Sequence, residues 1–336
     1  MARRIIFHDA SQVATCAGPA RGRRGAEMSE AAIQTGVAIA IDDGHIAAVG
    51  AFADIERDYP DAEYMDCAGR VVTPGLVDSH THAVFGRPRY DEQELRAAGL
   101  GYMEIAEQGG GIHSSVRDLR ARSEDDLLAL ARVRLARLAQ YGATTIEIKS
   151  GYGLALEDEL KSLRVVASLQ SETNLRLVPT WLGAHEIPRE YRGRVGGRTE
   201  YIEQLIHEQL PRVAAERLAV FADVFCEPGV FTLDETRTIL AAARARGLML
   251  KLHADELEPC GGAELAASLG ATSADHLAAI SPAGIAALAR SDTVATLLPG
   301  TMLFLGRERQ APARELIGAG AIVALATDFN PGTSPT

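Results

Sequence analysis

Two histidines in the segment Val77-Asp78-Ser79-His80-Thr81-His82 have the spacing of a metal-binding pair. They follow an apolar run, Val71 to Val77, which predicts a β-strand although Pro74-Gly75 interrupts it. Because side chains alternate along a strand, residues i and i+2 point the same way. Two neutral imidazoles held side by side can bind one metal ion, so other strand ends are expected to supply the remaining ligands.

Two further residues at predicted strand ends complete a candidate ligand set. His253 follows the apolar strand candidate Leu248 to Leu252, and Asp328 follows Ala321 to Ala326. An acid that ends a buried strand is costly unless it is paired or coordinates a cation, and a helix N-cap is the alternative for Asp328. Three imidazoles and one carboxylate, with a water in the open position, favour a single catalytic Zn²⁺ or Fe²⁺. Such an ion would lower the pKa of its water toward neutrality.

The same strand ends carry groups that could move protons or bind substrate. Glu256 lies three residues past His253 and is a candidate proton shuttle, with His276 as a second base. A surface salt bridge is the alternative role of Glu256. Arg87 and Arg89 could each clamp a substrate carboxylate through two hydrogen bonds, and simple solvation is the alternative for either one.

Strand-like and helical runs alternate from residue 69 onward, which indicates an α/β fold built from parallel βα units. Eight strand candidates are present, the number that a TIM (β/α)8 barrel requires: Val71–Val77, Thr144–Lys149, Leu175–Leu182, Ala219–Cys226, Leu248–Leu252, Ala271–Asp275, Thr293–Leu298 and Ala321–Ala326. In such a barrel all strand C-termini open on one face, where active sites are built. Five of the nine histidines fall at these ends, and a structural role is expected for the other four, His8, His45, His113 and His207.

Two segments outside the βα units have a separate organisation. Residues 1–68 read as a small β domain, with a hairpin from Val37–Ile41 to Ile46–Gly50, and residues 69–336 form the barrel. Thr232 to Glu235 is a capping box that opens a helix ending near Gly247. The long segment 87–122 is predicted to be an active-site loop, and its glycines lack the strand and helix context of a phosphate-binding loop.

The composition favours a globular protein with a small-molecule partner. The chain has 336 residues, 47% apolar and 24% charged, with a formal charge of −11. Basic residues are scattered among acids, which argues against nucleic acid or an anionic membrane as the main partner. The four cysteines form no Cys-x-x-Cys pair, and no apolar run reaches the roughly 18 residues of a spanning helix. We therefore expect a cytoplasmic protein.

Seven motifs in order along the chain resemble the amidohydrolase superfamily and, within it, the imidazolonepropionases of histidine breakdown. They extend over nearly the whole chain, so the resemblance is specific. The motifs are Thr73 to His82 with Val84-Phe85-Gly86, Gly101 to Ile105 with Gln108 to Ile112, Ile148 to Leu154, Gly183 to Pro188, His253 to Glu256, Ala274 to Leu277, and Ala326 to Gly332.

The resemblance implies hydrolytic opening of 4-imidazolone-5-propanoate to N-formimidoyl-L-glutamate. It implies metal on His80, His82, His253 and Asp328, and proton transfer by Glu256 and His276 beside Asp328. Between the two candidate arginines it selects Arg89 as the carboxylate clamp. The full set of substrate contacts carried over by motif is Arg89, Tyr102, Tyr152, His185, Glu256, Asn330, Gly332 and Thr333.

Some points separate this chain from its family or stay open. The bridging lysine of binuclear amidohydrolases belongs to the fourth strand, so Lys149, at the end of the second, is expected to be a supporting residue beside one metal ion. The family continues for several dozen residues beyond the Asp328 loop, where a last helix and the remaining β-sandwich strands are expected. We therefore expect low stability of this chain alone and a weakened homodimer. A heterocycle or guanidine deaminase, or an inactive metal-binding barrel, are the alternatives.

Overall fold

A computed structural model describes residues 3–100, 104–105 and 109–335 of the chain. The chain divides into two compact units, Met1–Gly75 and Leu76–Thr336. All candidate site residues that the structure describes lie in the second unit.

The first unit contains two small sheets. Its strands are β1 (Arg4–His8), β2 (Gln12–Ala14), β3 (Ile33–Gln34), β4 (Val37–Asp42), β5 (His45–Ala51), β6 (Glu63–Asp66) and β7 (Val71–Val72). One sheet has the order β5-β4-β1-β6 and the other β3-β2-β7. The predicted hairpin is confirmed as β4 and β5, whose turn uses Gly44 at φ +79°. A 3-10 helix, Gly25–Ser29, and helix α1, Phe52–Asp58, complete this unit.

The second unit is an eight-stranded parallel sheet, as the sequence predicts. Each strand pairs with the next one along the chain. The strands are β8 (Leu76–Asp78), β9 (Ala143–Lys149), β10 (Arg176–Ala184), β11 (Phe221–Cys226), β12 (Met249–Ala254), β13 (Ser273–His276), β14 (Val294–Leu297) and β15 (Ile322–Leu325). The residues that follow β8 and β15 bring the first and last strands together, because the His82 N–H donates to Phe329 O at 2.8 Å and the Asp328 N–H donates to His80 O at 3.0 Å.

The prediction of one strand from Val71 to Val77 is wrong. Val71 and Val72 pair with β2 in the first unit, whereas Leu76 to Asp78 form the first barrel strand. Pro74 and Gly75 cause the break, since proline has no N–H to donate to a sheet and glycine disfavours extended order.

Helices alternate with the barrel strands. They are α2 (Asp91–Ala97), α3 (Ile112–Arg120), α4 (Glu124–Gln140), α5 (Leu156–Glu172), α6 (Gly197–Gln204), α7 (Leu210–Ala215), α8 (Leu233–Arg244), α9 (Gly262–Ser268), α10 (Pro282–Ala289), α11 (Pro299–Phe304) and α12 (Ala313–Ala319), with a π-helical turn at Leu205–Gln209. The predicted capping box is confirmed at α8, where Glu235 accepts from Thr232 N and donates its own N–H to Thr232 Oγ1. Within the described part of the chain, no helix combines the length and apolarity needed to cross a bilayer.

Candidate metal centre and active site

The segment 80–82 is held in an extended conformation between its two neighbours in the barrel. Thr81 forms a bridge to Phe329, its Oγ1 donates to Glu147 O at 2.7 Å, and its carbonyl accepts the Lys149 N–H at 2.9 Å. Thr81 is thereby turned toward the neighbouring strands. The alternation of side chains leaves His80 and His82 on the opposite side, as their spacing predicts.

Carboxylates orient two of the candidate ligand imidazoles. His80 Nδ1 lies 2.6 Å from Asp275 Oδ2, and His253 Nδ1 lies 3.0 Å from Asp223 Oδ2. An ionised carboxylate only accepts hydrogen bonds, so the His80 imidazole carries its proton on Nδ1 and keeps a lone pair on Nε2. This is the tautomer that a metal ligand needs.

Hydrogen-bond acceptors of the four candidate ligands lie close together. Asp328 Oδ1 lies 3.4 Å from both His80 Nε2 and His82 Nε2, and His253 Nε2 lies 3.4 Å from His82 Nε2. His80 Nε2 is buried and has no hydrogen-bond partner in the described structure. A tetrahedral ion with ligand distances of roughly 2.0–2.1 Å separates its ligand atoms by about 3.3–3.4 Å. The three separations given above match that value, as expected for ligands of a Zn²⁺-sized cation.

The electrostatics agree with a cation site. Burial lowers the pKa of His80 to about 3 and that of His82 to about 4, so both imidazoles are neutral at physiological pH. Burial opposes ionisation of Asp328, but its contacts with His80 and His82 hold its pKa well below the usual value. Neutral imidazoles beside an ionised carboxylate are the protonation states that bind a divalent metal.

The backbone at Asp328 is strained, and its side chain does not cap a helix. Asp328 has φ +52°, and His276 across the site has φ +79°, both in the left-handed region that non-glycine residues rarely occupy. The carboxylate is buried and accepts a hydrogen bond from Thr301 Oγ1 on α11. The helix-cap alternative is therefore wrong, because no helix begins after Asp328 in residues 329–335.

Glu256 and His276 face each other beside the acceptor cluster. Glu256 Oε2 lies 3.5 Å from His276 Nε2, and burial raises the pKa of Glu256 to about 7, with His276 opposing and Asp328 and Glu227 adding to the rise. A surface salt bridge is excluded for Glu256 by this burial. Glu227 at the end of β11 positions the segment, because it accepts the backbone N–H groups of Glu256, Leu257 and Glu258.

Arg89, and not Arg87, reaches the cavity above this cluster. The cavity has a volume of about 710 Å³, and Arg89 lines it. Its Nε lies 3.0 Å from Glu92 Oε1 and its Nη1 donates to Ser115 Oγ at 2.6 Å. Arg87 instead has a side chain that is 52% exposed, near Asp91 on α2. The position of Arg89 is thus set by buried partners.

Tyr152 and His185 line the same cavity and depend on one buried acid. The ring of His185 stacks on His82 at 5.1 Å, and its Nδ1 donates to Gly151 O at 2.9 Å. Glu159 accepts the N–H groups of Gly151, Gly153 and Leu154, and so shapes the turn that contains Tyr152. Burial lowers the pKa of His185 well below its usual value, which leaves Nε2 neutral and able to accept a hydrogen bond.

The loop after β15 is folded by its own asparagine. Asn330 Oδ1 accepts the N–H groups of Gly332 and Thr333, and its Nδ2 donates to Asp328 O. A Cβ on Gly332 would lie 1.8 Å from Arg89 Nη2, so only glycine fits there. Asn330 and Thr333 line the cavity. Tyr102 lies outside the described residues.

Comparison with known proteins gives the family. A model of the imidazolonepropionase-like composite domain of bacteria matches residues 38–62. The Imidazolonepropionase of Clostridium tetani (strain Massachusetts / E88) is 47% identical over 99% of this chain and 78% of its own length. That of Porphyromonas gingivalis (strain ATCC BAA-308 / W83) is 51% identical over 98% of this chain and 77% of its own. The chain belongs to the imidazolonepropionase family.

A solved structure supports the fold of this imidazolonepropionase-family chain. An adenosine deaminase from Xanthomonas campestris with bound zinc is similar at a TM-score of 0.61, with 17% identity over 96% of this chain and 69% of the other. The likeness shows the barrel fold. Within the described residues, His80, His82 and His253 form a buried group that could hold a metal ion.

Several supporting residues of this family member escape sequence reasoning. Asp223, Glu159 and Thr301 lie in none of the motifs, and Asp275 lies inside the motif Ala274 to Leu277 without a predicted role. Each of the four contacts a residue or turn of the candidate site. One signal was available for Asp275, because it is an acid inside a predicted buried strand directly before His276.

Proposed function

We propose that this chain hydrolyses the ring amide bond of 4-imidazolone-5-propanoate to give N-formimidoyl-L-glutamate in the degradation of histidine. The observation that carries the proposal is a single cavity lined by His82, His253 and Asp328 of the acceptor cluster and also by Arg89. Family membership at about half identity over nearly the whole chain supports the same substrate.

One metal ion per chain would be held by His80, His82, His253 and Asp328, because their acceptor atoms lie close together and face one another. Imidazole and carboxylate serve both Zn²⁺ and Fe²⁺, and the geometry fits either. When bound, such an ion would polarise the substrate carbonyl and would lower the pKa of its water toward neutrality.

Glu256 would move the proton. With a pKa of about 7, its carboxylate can accept a proton from the attacking water and deliver it to the ring nitrogen as the C–N bond breaks. His276, 3.5 Å away, would hold Glu256 in position and share the charge. The products are a carboxylate on the former carbonyl carbon and an N–H on the leaving nitrogen, so one water is consumed.

The substrate would be oriented by groups around the rest of the cavity. Arg89 would bind the propanoate carboxylate, while Tyr152 and His185 would contact the ring, with the His185 Nε2 lone pair available to a ring N–H. Asn330, Gly332 and Thr333 would shape the wall beside Arg89. A contact by Tyr102 rests on the family resemblance alone.

The direct test is turnover by the metal-loaded chain. Turnover is followed as the loss of imidazolone absorbance, and the product is identified by its mass. The expected product is N-formimidoyl-L-glutamate. Release of ammonia with the ring intact would identify a deaminase instead. A stable sample that binds metal at a 1:1 ratio but turns over no substrate would contradict the proposal.

A further inference from the structure

Lysine is rare in this chain, and two of its lysines lie in the barrel interior. The 34 basic residues include only three lysines, Lys149, Lys161 and Lys251. Lys149 is 0% exposed at the end of β9, and Lys251 is buried in β12. Burying an ammonium group is costly unless carboxylates and hydrogen bonds compensate it, so each buried lysine must have a partner set that requires it.

The partners of Lys149 come from three strands. Its Nζ lies 2.7 Å from Glu147 Oε1, 2.8 Å from Asp223 Oδ2 and 3.9 Å from Asp275 Oδ2. β9, β11 and β13 are the second, fourth and sixth strands of the barrel, and alternate strands supply one layer of interior side chains. The Lys149 ammonium therefore joins side chains of these alternate strands in the barrel interior.

Two of these carboxylates also hold ligand imidazoles. Asp223 Oδ2 contacts His253 Nδ1, and Asp223 Oδ1 accepts the His253 N–H. Asp275 Oδ2 contacts His80 Nδ1 at 2.6 Å. The Lys149 ammonium thus contacts the carboxylates that orient two of the three candidate ligand imidazoles, His253 and His80.

We propose that Lys149 is a positioning residue for the metal site, which acts by holding Asp223 and Asp275 and, through them, the orientations of His253 and His80. The inference rests on the metal site proposed above. It assigns Lys149 no contact with substrate or metal.

Lys251 gives an internal contrast. Its Nζ lies 3.1 Å from Asp275 Oδ2 and donates to Ser273 Oγ and Ser79 O, so it supports only the His80 side. The compact ammonium of lysine directs three donors from one atom, whereas the planar guanidinium of arginine is larger and cannot replace it at such a junction. This explains lysine at position 149 in a chain whose 34 basic residues include only three lysines.

The test measures metal affinity and does not depend on activity. Metal-free wild-type, Lys149→Met and Lys161→Met proteins are titrated with Zn²⁺ against a chromophoric chelator. Lys161 is a matched control because its Nζ also has three oxygen partners, Leu119 O, Arg122 O and Asp158 Oδ1, none of which touches the site. Direct partners of metal ligands typically contribute about 10–100-fold to affinity, and Lys149 acts through such partners, so Lys149→Met is expected to lose about tenfold, the lower end of that range, and Lys161→Met none.

A second readout separates positioning from a general loss of stability. In protein labelled with ¹⁵N-histidine, Lys149→Met should shift the Nδ1–H resonances of both His80 and His253, and Lys251→Met only that of His80. If Lys149→Met does not fold, the double variant Lys149→Met/Glu147→Gln is measured in its place. Its second change substitutes a neutral amide for the Glu147 carboxylate, which loses its lysine partner in the single variant. Wild-type zinc affinity and unchanged Nδ1–H resonances in a folded variant would overturn the inference. Failure of the wild-type chain to bind zinc would instead overturn the proposed function.

Discussion

Two parts of one cavity are held in place by different contacts. The metal layer, comprising His80, His82, His253 and Asp328, is oriented by side chains, chiefly Asp275, Asp223 and Thr301. The proposed substrate side comprises Arg89, Tyr152, His185 and residues 330–333. Its turns at Tyr152 and at residues 330–333 depend on groups that accept backbone N–H, namely Glu159 and Asn330. Where the chain leaves a strand for such a turn, the backbone itself must be fixed as well as the side chain.

The difference has a functional consequence that variants can test. If the two parts are held independently, a change in one should alter either metal binding or substrate binding, but not both. The predictions below run from the largest expected effect to the smallest.

Asp328→Asn should have the largest effect and should act on the metal layer. The neutral amide removes the only anion among the four acceptors, so zinc affinity and kcat/KM should each fall by more than the roughly 100-fold that ligand partners contribute. Metal content and steady-state kinetics give the measurement. Asp234→Asn, at an exposed acid on α8, is the control. Retention of stoichiometric zinc by Asp328→Asn would refute its place in the ligand set.

Arg89→Ala should act on the substrate side alone. A lost hydrogen-bonded charge pair is worth about 1.5–3 kcal/mol, so KM should rise roughly 10- to 100-fold with zinc affinity unchanged. Arg87→Ala is the matched control, because Arg87 is exposed. An unchanged KM in Arg89→Ala would count against a carboxylate-bearing substrate and favour a deaminase.

Stability of the metal-free protein should depend on pH through Glu256, which lies between the two parts. Burial raises its pKa to about 7, above the roughly 4.3 of an exposed glutamate. The stability associated with neutral Glu256 is therefore full below about pH 4 and is lost as the pH rises through about 7. In a chelator, the excess stability of Glu256→Gln over wild type should grow from about 1 kcal/mol at pH 5 to about 3–4 kcal/mol at pH 8. Denaturant unfolding at both pH values checks this, and an equal difference at both would contradict it.

The sequence predicted the metal layer more fully than its supports. His80 and His82 are two residues apart and His253 ends a strand, so local pattern was enough to group them with Asp328. Their partners Asp223 and Asp275 act across strands, and pairing between distant strands leaves no local signal. The break at Pro74-Gly75 was visible, but only the pairing of Val71 with β2 shows that the run belongs to two sheets. The homodimer and the cytoplasmic location stay predictions.

The smallest effect should come from Glu159→Gln. This variant tests whether the hydrogen bonds from backbone N–H groups to Glu159 matter for function. The amide keeps one acceptor oxygen, yet Glu159 now uses both carboxylate oxygens to accept from Gly151, Gly153 and Leu154. Losing one buried partner should cost at least about 1 kcal/mol of stability. Because the turn orients Tyr152 and, through Gly151 O, His185, KM should rise several-fold while zinc affinity stays unchanged. Glu157→Gln, on the exposed face of the same helix, should change neither. If Glu159→Gln also weakened zinc binding, the two parts of the cavity would be coupled through His82, on which His185 stacks.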